Sequence, residues 1–558
     1  MTLSPSAHVD TFTRESLPPT DLWPTLEFTI PDVQYPERLN AAVELLDRTI
    51  ERYGADRPAI LLADGSSWSY GELQRRVDQF AAVLTEDHGL VPGNRVLLRM
   101  LNGPWTVVCW LGALKAGMVV VTTMVAWRAQ ELHPIAARVQ PRVAVVDHRG
   151  LDDAHVALGR LDVPPAVIVS GGERDGLIEA CDAQSAGFTA VDTSADDVAL
   201  LGATSGTTGV PKITMHFHRD ILANADTFGR HVLHLGPDDV SASTAPLAFT
   251  FGLGGNVVFP LRSGGTMVLV ERATPVELAK LIEPLGITVL YTAPTGYRSI
   301  IKEGLAGELR RLRIGIAAGE HLTLATFEAV EAASGLRLIN GIGSTEMLHV
   351  FVSASGDDIR PGSTGRAVPG YRAAVLDDDG AEVPPGEPGR LAVIGPTGCR
   401  YLDDERQRVY VQGGWNVTGD TFVQDADGYL TFQARNDSMI VTAGYNVGAP
   451  EVEEAVLDHP GVLECAVVGC PDDERGMIVV AFVVARDGVE ASAELTSRIL
   501  EHVKSRIAVY KCPRRIEYVD ALPRNPSGKV QHFILREQAA ARAAAPTQIQ
   551  TQTQTQGA

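Results

Sequence analysis

Hydroxyl residues, glycines and a terminal lysine are concentrated at 204–212, which reads Thr-Ser-Gly-Thr-Thr-Gly-Val-Pro-Lys. The glycines free backbone amides to fold around an anion, the hydroxyls add donors, and Lys212 adds positive charge. The run is not a Walker A loop, because Pro211 stands where that motif requires glycine. A surface turn is the alternative interpretation, but residue types in this order favour a phosphate-binding loop.

Four more motifs follow along the chain: Gly341-Ile342-Gly343-Ser344-Thr345-Glu346; Trp415-Asn416-Val417-Thr418-Gly419-Asp420; Ala434-Arg435-Asn436-Asp437 with Gly444-Tyr445-Asn446; and Pro526-Ser527-Gly528-Lys529. With the phosphate loop, they resemble the ordered motifs of the acyl-adenylate-forming (AMP-binding) superfamily. The strings Phe251–Gly254, Gly341–His349 and Gly398–Leu402 are most similar to the aryl-CoA ligase branch, in particular 2-aminobenzoate–CoA and benzoate–CoA ligases.

The resemblance implies ATP, Mg²⁺ and CoA as ligands, and it implies catalytic roles for Lys529, Glu346 and Thr208. A cation such as Lys529 can bridge the acid's carboxylate and the α-phosphate, and Glu346 is the carboxylate expected near Mg²⁺. Without the resemblance, Lys529 would be read as a loop residue and Glu346 as a solvated one. The nucleotide-binding residues that it implies are Thr204, Ser205, Gly206, Thr207, Gly209, Lys212, Gly319, Glu320, Gly341, Ile342, Gly343, Ser344, Thr345, Asp420 and Arg435.

The resemblance further implies a hinge at Asp437 and a CoA-facing surface that carries Gly444 and Tyr445. The acyl pocket is expected from Phe249, Phe251, Gly252, Ala318 and His349, although core packing would explain the aromatic residues about as well. A polar substituent on the bound ring needs a polar partner, because a buried unpaired donor costs about 1–3 kcal/mol. His349 and Ser344 are the candidates, and a structural role for His349 is the alternative.

Regular elements must hold these residues in place. Strand and helix patterns alternate from about residue 36, which predicts crossover units and a largely parallel sheet. Within this pattern, Ser69 and Glu72 predict the start of a helix, and Ala166–Ser170 predicts a strand. Short β-like runs between turn signals predict a β-rich subdomain at about 360–433. The predicted fold is α/β: a large multi-layer N-terminal domain (1–435) of parallel-rich sheets, helices and that subdomain, and a small mobile α+β domain (436–536). A disordered tail follows (537–558), because the Thr/Gln repeat is nearly devoid of apolar residues.

Composition excludes several classes of protein. The 558 residues carry a formal charge of −21, which disfavours nucleic-acid binding. The six cysteines have no metal-ligand spacing, and no apolar run reaches the roughly 20 residues that a membrane span needs. We expect a cytoplasmic monomer or homodimer without membrane or nucleic-acid partners.

The sequence therefore predicts an enzyme that activates an aromatic acid with ATP and transfers the aryl group to CoA. An alternative keeps the adenylation step and changes the acceptor or substrate, through carrier-protein loading, amide formation or nitrite activation for diazotisation of an aromatic amine. A non-catalytic nucleotide-binding protein is disfavoured, because Lys529, Glu346 and the Thr/Gly loop are all present.

Overall fold

A computed structural model of the chain describes residues 3–204, 211–435, 439–486, 488–523, 530 and 532–544. The strands are β1 (Pro58–Leu62), β2 (Ser67–Ser69), β3 (Arg95–Arg99), β4 (Val119–Thr123), β5 (Val143–Asp147), β6 (Ala166–Ser170), β7 (Val198–Thr204), β8 (Lys212–Phe217), β9 (Val240–Ser243), β10 (Thr266–Leu269), β11 (Val289–Thr292), β12 (Ile314–Ala317), β13 (Ile339–Gly343), β14 (Val350–Ser353), β15 (Arg366–Ala367), β16 (Arg372–Leu376), β17 (Pro388–Ile394), β18 (Val411–Gln412), β19 (Trp415–Gln424), β20 (Leu430–Arg435), β21 (Met439–Thr442), β22 (Tyr445–Gly448), β23 (Val462–Asp472), β24 (Gly476–Ala485) and β25 (Arg515–Tyr518).

The α-helices are α1 (Phe12–Glu15), α2 (Arg48–Tyr53), α3 (Tyr70–Ala82), α4 (Pro104–Lys115), α5 (Ala129–Val139), α6 (Leu151–Leu158), α7 (Gly176–Ala183), α8 (His218–Asn224), α9 (Thr250–Leu253), α10 (Phe259–Ser263), α11 (Pro275–Leu285), α12 (Pro294–Lys302), α13 (Ala306–Leu309), α14 (Leu324–Ser334), α15 (Gln407–Tyr410), α16 (Ala449–Leu457), α17 (Ala493–Arg506) and α18 (His532–Ala544). Within the described residues, none of these helices combines the length and the apolar character that crossing a membrane requires.

A six-stranded sheet in the order β6-β5-β3-β4-β7-β8 lies in the first half of the chain. Its strands are parallel except for β7 and β8, which pair antiparallel from Val198–Phe217 to Thr204–Lys212. The predicted phosphate loop therefore joins two paired strands. Helix α3 begins as the sequence predicts, because the Ser69 hydroxyl accepts a hydrogen bond from the Glu72 amide at 3.1 Å.

Strand β8 is the last strand of this sheet, and a distant segment covers its outer edge. The Met215 amide donates to the Arg400 carbonyl at 2.7 Å, and the Leu402 amide donates to the Ile213 carbonyl at 2.8 Å. The buried Arg400 guanidinium also pairs with Asp220 at the start of α8. Residues 400–402 are thereby held against the strand that begins with Lys212.

A nine-stranded sheet has the order β15-β14-β13-β12-β11-β9-β10-β1-β2. Its central strands, from β1 through β10, β9, β11 and β12 to β13, are parallel, and its two ends are antiparallel. The carboxyl ends of β11, β12 and β13 therefore lie at one edge of the sheet. Ligands bind at this edge in such sheets, and several predicted site residues follow these strands.

The predicted β-rich subdomain is an antiparallel sheet in the order β16-β17-β19-β18, with β20 paired to β19. The chain then forms the hairpin β21–β22 and a three-stranded sheet, β23-β24-β25. Side chains of α16 and α17 pack on one face of this small sheet, and Leu535 and Ala539 of α18 pack on the other. The predicted α/β class, with a large parallel-rich part and a small C-terminal part, is confirmed.

The predicted disordered tail begins too early. Helix α18 continues to Ala544, and both Leu535 and Ala539 are fully buried. The Arg515 guanidinium donates to the Ala539 carbonyl at 2.8 Å. Alanine is the strongest helix former, so the alanine-rich run extends the helix although it has few large apolar side chains. Residues 545–558, with the Thr/Gln repeat, lie outside the described residues.

Candidate active site

A cavity of about 1570 Å³ lies where the nine-stranded sheet, strands β7 and β8, the β-rich sheet and the small C-terminal part meet. Most of the described residues that the sequence assigns to ligand binding line it. They are Thr204, Lys212, Phe249, Phe251, Ala318, Gly319, Glu320, Gly341, Ile342, Gly343, Ser344, Thr345, Glu346, His349, Asp420, Gly444 and Tyr445. The fold thus brings together, at one cleft, residues that are up to about 240 positions apart in the sequence.

Some predicted site residues cannot be placed. Ser205, Gly206, Thr207, Thr208, Gly209, Asp437 and Lys529 lie outside the described residues. Arg435 is described through its backbone, which pairs with Asp420 between β20 and β19. Thr204 and Lys212, on either side of the phosphate loop, line the cavity, and residues 205–210 lie outside the described residues.

Lys212, Tyr401 and Glu346 form a polar cluster at the start of β8. The Lys212 ammonium donates to the Tyr401 hydroxyl at 2.9 Å, and that hydroxyl donates to Glu346 Oε1 at 2.6 Å. The direct distance from Lys212 Nζ to Glu346 Oε1 is longer, at 3.4 Å. The tyrosine hydroxyl is therefore the closest link between the cation and the carboxylate.

Glu346 is buried, with 7% of its surface exposed. Burial by itself raises the pKa of a carboxyl group, but Lys212 and the Tyr401 hydrogen bond outweigh burial and bring the pKa of Glu346 below its ordinary value. The carboxylate is therefore ionised at neutral pH. A buried, ionised carboxylate beside the phosphate-loop strands has the chemistry that a Mg²⁺–nucleotide complex requires.

The wall predicted to bind the nucleotide is formed by the end of β13, by β19 and by the turn after β12. Ile342 is partly buried against the main core and presents an apolar surface to the cavity. Asp420 is 9% exposed and lies in β19, opposite Arg435. A carboxylate at this position can accept two hydrogen bonds from neighbouring hydroxyls, such as those of a ribose.

Glu320 makes contacts that the sequence does not predict. Its carboxylate accepts hydrogen bonds from the Thr295 amide and hydroxyl, both at 3.2 Å, and from the Gly444 amide in the turn between β21 and β22. Burial raises the pKa of Glu320, and the hydrogen bonds from Thr295 and Gly444 oppose that rise. Glu320 therefore joins the turn that carries Gly444 to the nine-stranded sheet.

Aromatic rings enclose the predicted acyl pocket. The His349 ring lies 4.6 Å from the Phe259 ring and 5.6 Å from the rings of both Phe251 and Phe228. Phe251 also meets Tyr291 edge-on at 6.0 Å. Phe251 and His349 line the cavity, and the other rings pack behind them. Together they form an aromatic wall, here called the aromatic slot, against which a flat ring can pack.

His349 is buried and neutral at the end of this slot. Burial lowers the pKa of His349 to about 3, and the Phe251 backbone carbonyl nearby opposes that shift. Neither ring nitrogen has a hydrogen-bond partner among the described residues. The Ser344 hydroxyl, in contrast, is within 3.2 Å of both the Tyr410 hydroxyl and the Met347 amide. Of the two predicted polar partners for a ring substituent, His349 is therefore the one with hydrogen-bonding capacity to spare.

The glycines near the pocket permit close packing. A Cβ added to Gly252 would lie 2.3 Å from the Pro246 carbonyl oxygen, and one added to Gly254 would lie 2.4 Å from the His349 ring. Gly252 itself does not line the cavity but supports the helix behind it. Thr250–Leu253 forms α9, and Gly254–Val258 forms a π-helix, so this glycine-rich segment is helical.

The small C-terminal part is anchored to the large one through Lys511. This ammonium is 2.8 Å from Glu131, near the start of α5, and 2.8 Å from Glu451 in α16. Its exposed fraction is 5%. Lys511 is therefore a buried lysine between two carboxylates, and not an exposed cation.

Aromatic residues extend the same interface. The Trp127 indole donates to the Tyr510 hydroxyl at 3.1 Å, and the Tyr510 ring stacks on the Tyr445 ring at 4.2 Å. Sequence analysis did not assign Trp127, Tyr401 or Tyr410 to the site. Of these three residues, only Tyr401 could have been found from the sequence, because it lies in the string Gly398–Leu402 that contributes to the family resemblance.

Mg²⁺ fits the residues present, and Glu346 is the side chain that would hold it. The Tyr401 hydroxyl and the Lys212 ammonium both approach the same oxygen of Glu346, Oε1. No group of three or more His, Cys, Asp and Glu side chains that could hold a metal was found in the described part of the chain. A single carboxylate with water and phosphate oxygens is a usual way to hold Mg²⁺ beside a nucleotide.

Comparison with known proteins gives consistent matches over most of the chain. Residues 46–400 match the AMP-binding enzyme family, and residues 451–529 match the AMP-binding enzyme C-terminal domain. A benzoate–CoA ligase of Thauera aromatica is 35% identical over 516 residues, which cover 91% of this chain and 98% of that protein.

Two solved structures illustrate the similarity of fold. An anthranilate CoA ligase in complex with anthranoyl-AMP has a TM-score of 0.71 at 33% identity and covers 92% of this chain and 100% of its own. An amide bond synthetase from Marinactinospora thermotolerans has a TM-score of 0.80 at 27% identity and covers 90% of this chain and 100% of its own.

Proposed function

The chain belongs to the AMP-binding enzyme family, and from that membership we propose that it is an AMP-forming aryl-acid–CoA ligase. It converts an aromatic carboxylic acid of the benzoate or 2-aminobenzoate type to an aryl-adenylate and then transfers the aroyl group from AMP to the thiol of CoA. The products are aryl-CoA, AMP and pyrophosphate. The observation that carries the proposal is a single cleft that joins an aromatic slot at His349 to the polar cluster at Glu346.

The slot supports an aromatic rather than a long aliphatic acid. The rings of Phe259 and Phe251 lie 4.6 and 5.6 Å from the His349 ring. Tyr291 packs against the same two phenylalanines, at 6.5 and 6.0 Å, and Gly254 lets the His349 ring lie against its helix. A flat ring of benzoate size makes edge and face contacts in such a slot. The 35% identity to a benzoate–CoA ligase supports the same class of acid.

Adenylation requires the acid's carboxylate to attack the α-phosphate of ATP. Lys212 and the phosphate loop bind the triphosphate, and Asp420 and Arg435 hold the ribose. Glu346 would hold the Mg²⁺ that accompanies ATP, and the ion would supply positive charge to the triphosphate. Lys529 brings the carboxylate and the α-phosphate together and stabilises the charge that develops as pyrophosphate leaves.

Acyl transfer uses the surface that carries Gly444 and Tyr445. The Glu320 carboxylate holds the Gly444 amide at the cleft, and the Tyr510 ring supports Tyr445 from behind. We propose that the small domain spans residues 436–536 and turns about Asp437, so that Lys529 acts in the first step and the Gly444 surface in the second.

A different acceptor is the second candidate, and two observations favour it. The amide bond synthetase has a higher TM-score, 0.80, than the anthranilate CoA ligase, 0.71, although its identity is lower. Lys511, which could have met the CoA phosphates, is instead paired with Glu131 and Glu451. In this alternative the aryl-adenylate forms in the same way and an amine, a carrier-protein thiol or nitrite takes the place of CoA.

The test is acid-dependent release of pyrophosphate and AMP from ATP, with and without CoA, over benzoate, 2-aminobenzoate, hydroxybenzoates and aminohydroxybenzoates. A thioester product identified by mass, formed only with an aromatic acid and CoA, is the expected result. Adenylation that is indifferent to CoA but gives amides with added amines supports the second candidate. Lys529→Ala is the control, and we expect it to lose acid-dependent pyrophosphate release with every acid.

A further inference from the structure

Tyr401 lies between the two charged residues of the site, Lys212 and Glu346, but the sequence motifs assign it no role in the chemistry. Its hydroxyl accepts a hydrogen bond from Lys212 at 2.9 Å and donates one to Glu346 Oε1 at 2.6 Å. A hydroxyl has one proton and can accept further hydrogen bonds, so both contacts form at once with their preferred polarity. The hydroxyl therefore fixes where the carboxylate points.

The Tyr401 side chain is itself held rigidly. The residue is fully buried, and its ring meets the Tyr410 ring edge-on at 5.9 Å. Its backbone amide donates to the Gln407 side chain at 2.9 Å. On either side, the Arg400 carbonyl and the Leu402 amide are hydrogen-bonded to β8, the strand that Lys212 begins. The hydroxyl and the ammonium are therefore positioned by the same strand pairing.

Tyr401 and Lys212 contact one of the two carboxylate oxygens of Glu346. Oε1 receives the Tyr401 hydrogen bond and also lies 3.4 Å from the Lys212 ammonium, so the tyrosine and the lysine both contact the same oxygen. Carboxylates that bind metals are usually hydrogen-bonded themselves, and removal of such a partner weakens metal affinity by about 10–100-fold. Without the tyrosine hydroxyl, the Glu346 carboxylate could rotate and pair directly with Lys212.

We propose that Tyr401 is a positioning residue for adenylation: its hydroxyl holds Glu346 so that one carboxylate oxygen stays available to the divalent cation that accompanies ATP. The proposal rests on the proposed function for the identity of the reaction. Its geometric content, a hydroxyl that orients a cation-binding carboxylate, does not depend on which acid or acceptor is used.

The test compares Tyr401→Phe with the unmodified protein and with Tyr70→Phe, which also loses one buried hydroxyl, from a hydrogen bond to the Gly265 carbonyl at 2.7 Å. Binding of Mn²⁺ in the presence of a non-hydrolysable ATP analogue is measured by electron paramagnetic resonance, so turnover is not needed. We expect Mn²⁺ affinity to fall about tenfold in Tyr401→Phe and to be unchanged in Tyr70→Phe. Equal Mn²⁺ affinity in Tyr401→Phe and the unmodified protein would overturn the proposal.

A double-mutant cycle with Glu346→Gln shows whether Tyr401 acts through the carboxylate. We expect Tyr401→Phe to have little further effect on Mn²⁺ affinity once Glu346 is glutamine. The same fold-loss in both backgrounds would mean that the hydroxyl acts elsewhere, and the proposal would be wrong. Failure of the proposed function is seen separately, as absence of acid-dependent pyrophosphate release in the unmodified protein.

Discussion

At the end of the aromatic slot, His349 combines deep burial with unused hydrogen-bonding capacity. Both ring nitrogens lack partners among the described residues, and burial lowers the pKa of the ring to about 3. A neutral imidazole has one donor and one acceptor nitrogen, so it can meet either an amino or a hydroxyl substituent on a bound ring. We therefore propose that His349 distinguishes benzoate from its substituted relatives.

Replacement of His349 by leucine should change the preference among acids more than the activity. We expect kcat/KM for benzoate to fall by no more than a few-fold, because the slot stays apolar. For the acid whose substituent meets His349 we expect a loss of about tenfold or more, since a lost buried hydrogen bond costs about 1–3 kcal/mol. Pyrophosphate release over the acid panel measures both. An equal loss for every acid would mean that His349 only packs.

The contrast between Glu346 and Tyr401 shows what sequence motifs can and cannot supply at this scale. Glu346 and Lys212 each lie in a local motif, and both line the cleft as predicted. Tyr401 is 55 residues from Glu346 and reaches it only because residues 400–402 pair with β8. No local spacing encodes that contact, since it depends on which strand lies at the edge of the sheet.

At the scale of elements, the helix behind the acyl pocket depends on glycines. Gly254 opens the π-helix at Gly254–Val258, and its missing side chain leaves room for the His349 ring. A π-helix is rare and is often found at functional sites, because it moves one turn of a helix relative to its neighbours. Substitution at this glycine therefore tests whether the close approach of ring and helix is needed.

We expect Gly254→Ala to destabilise the protein by about 1–3 kcal/mol, the usual cost of overpacking a core, and to raise KM for the acid. The reason is that the added Cβ would lie 2.4 Å from the His349 ring. Gly236→Ala is the matched control, because no atom lies within 4 Å of a Cβ at that position. Chemical denaturation and steady-state kinetics report the two effects. Equal stability of the two variants would contradict the close-packing argument.

The alternation of strands and helices was predictable, whereas departures from it were not. Strand β6 has the predicted bounds, Ala166–Ser170, because short apolar runs with β-branched residues are typical of buried parallel strands. The π-helix at Gly254–Val258 was missed, because a glycine run usually indicates a loop. The predicted disordered tail began at residue 537 and so included much of α18. The buried face of this helix gives little sequence pattern, because it consists of little more than Leu535 and Ala539.

At the scale of the whole molecule, Lys511 connects the two parts of the chain. Its ammonium lies between Glu131 of the large part and Glu451 of the small part, with each carboxylate at 2.8 Å. Both carboxylates are mostly buried, so loss of the cation leaves two negative charges facing each other. The contact therefore stabilises the arrangement in which Gly444 lies at the cleft.

Lys511→Met should separate the two half-reactions. We expect acyl transfer to CoA to slow by about tenfold, because truncation of one partner of a buried charge pair is costly, while acid-dependent pyrophosphate exchange stays within a few-fold of the unmodified protein. Lys504→Met, on the exposed face of α17, is the control for a lost positive charge. Parallel losses in both half-reactions would show that Lys511 supports folding rather than this arrangement.

Buried histidines make the stability of the protein depend on pH. Burial lowers the pKa of His216 to about 4 and those of His218 and His349 to about 3. Below pH 6.5 the unfolded chain therefore binds protons that the folded chain does not, and stability falls as the pH decreases from 6.5 towards 4. His532 acts in the opposite direction, because its hydrogen bond with Glu453 raises its pKa.

Each of the three buried histidines contributes a loss of up to about 1.4 kcal/mol per pH unit in that window. Denaturant unfolding at pH 7.0, 6.0, 5.0 and 4.5 measures the loss, and we expect the free energy of unfolding to decrease at every step. The His349→Leu variant should show a shallower decrease, since one of the three groups is gone. A constant free energy of unfolding over this range would contradict the assignment of these rings as neutral in the folded state.

The segment that positions Tyr401 also closes the exposed side of β8, the last strand of the six-stranded sheet. An uncovered edge strand is a template on which other chains can add strands, which is a common start of aggregation. Substitutions that loosen residues 400–402, including loss of the buried Arg400–Asp220 pair, should therefore reduce the yield of soluble protein as well as turnover. Kinetic assays alone would score such variants as inactive enzymes, although the protein would in fact be found in the insoluble fraction.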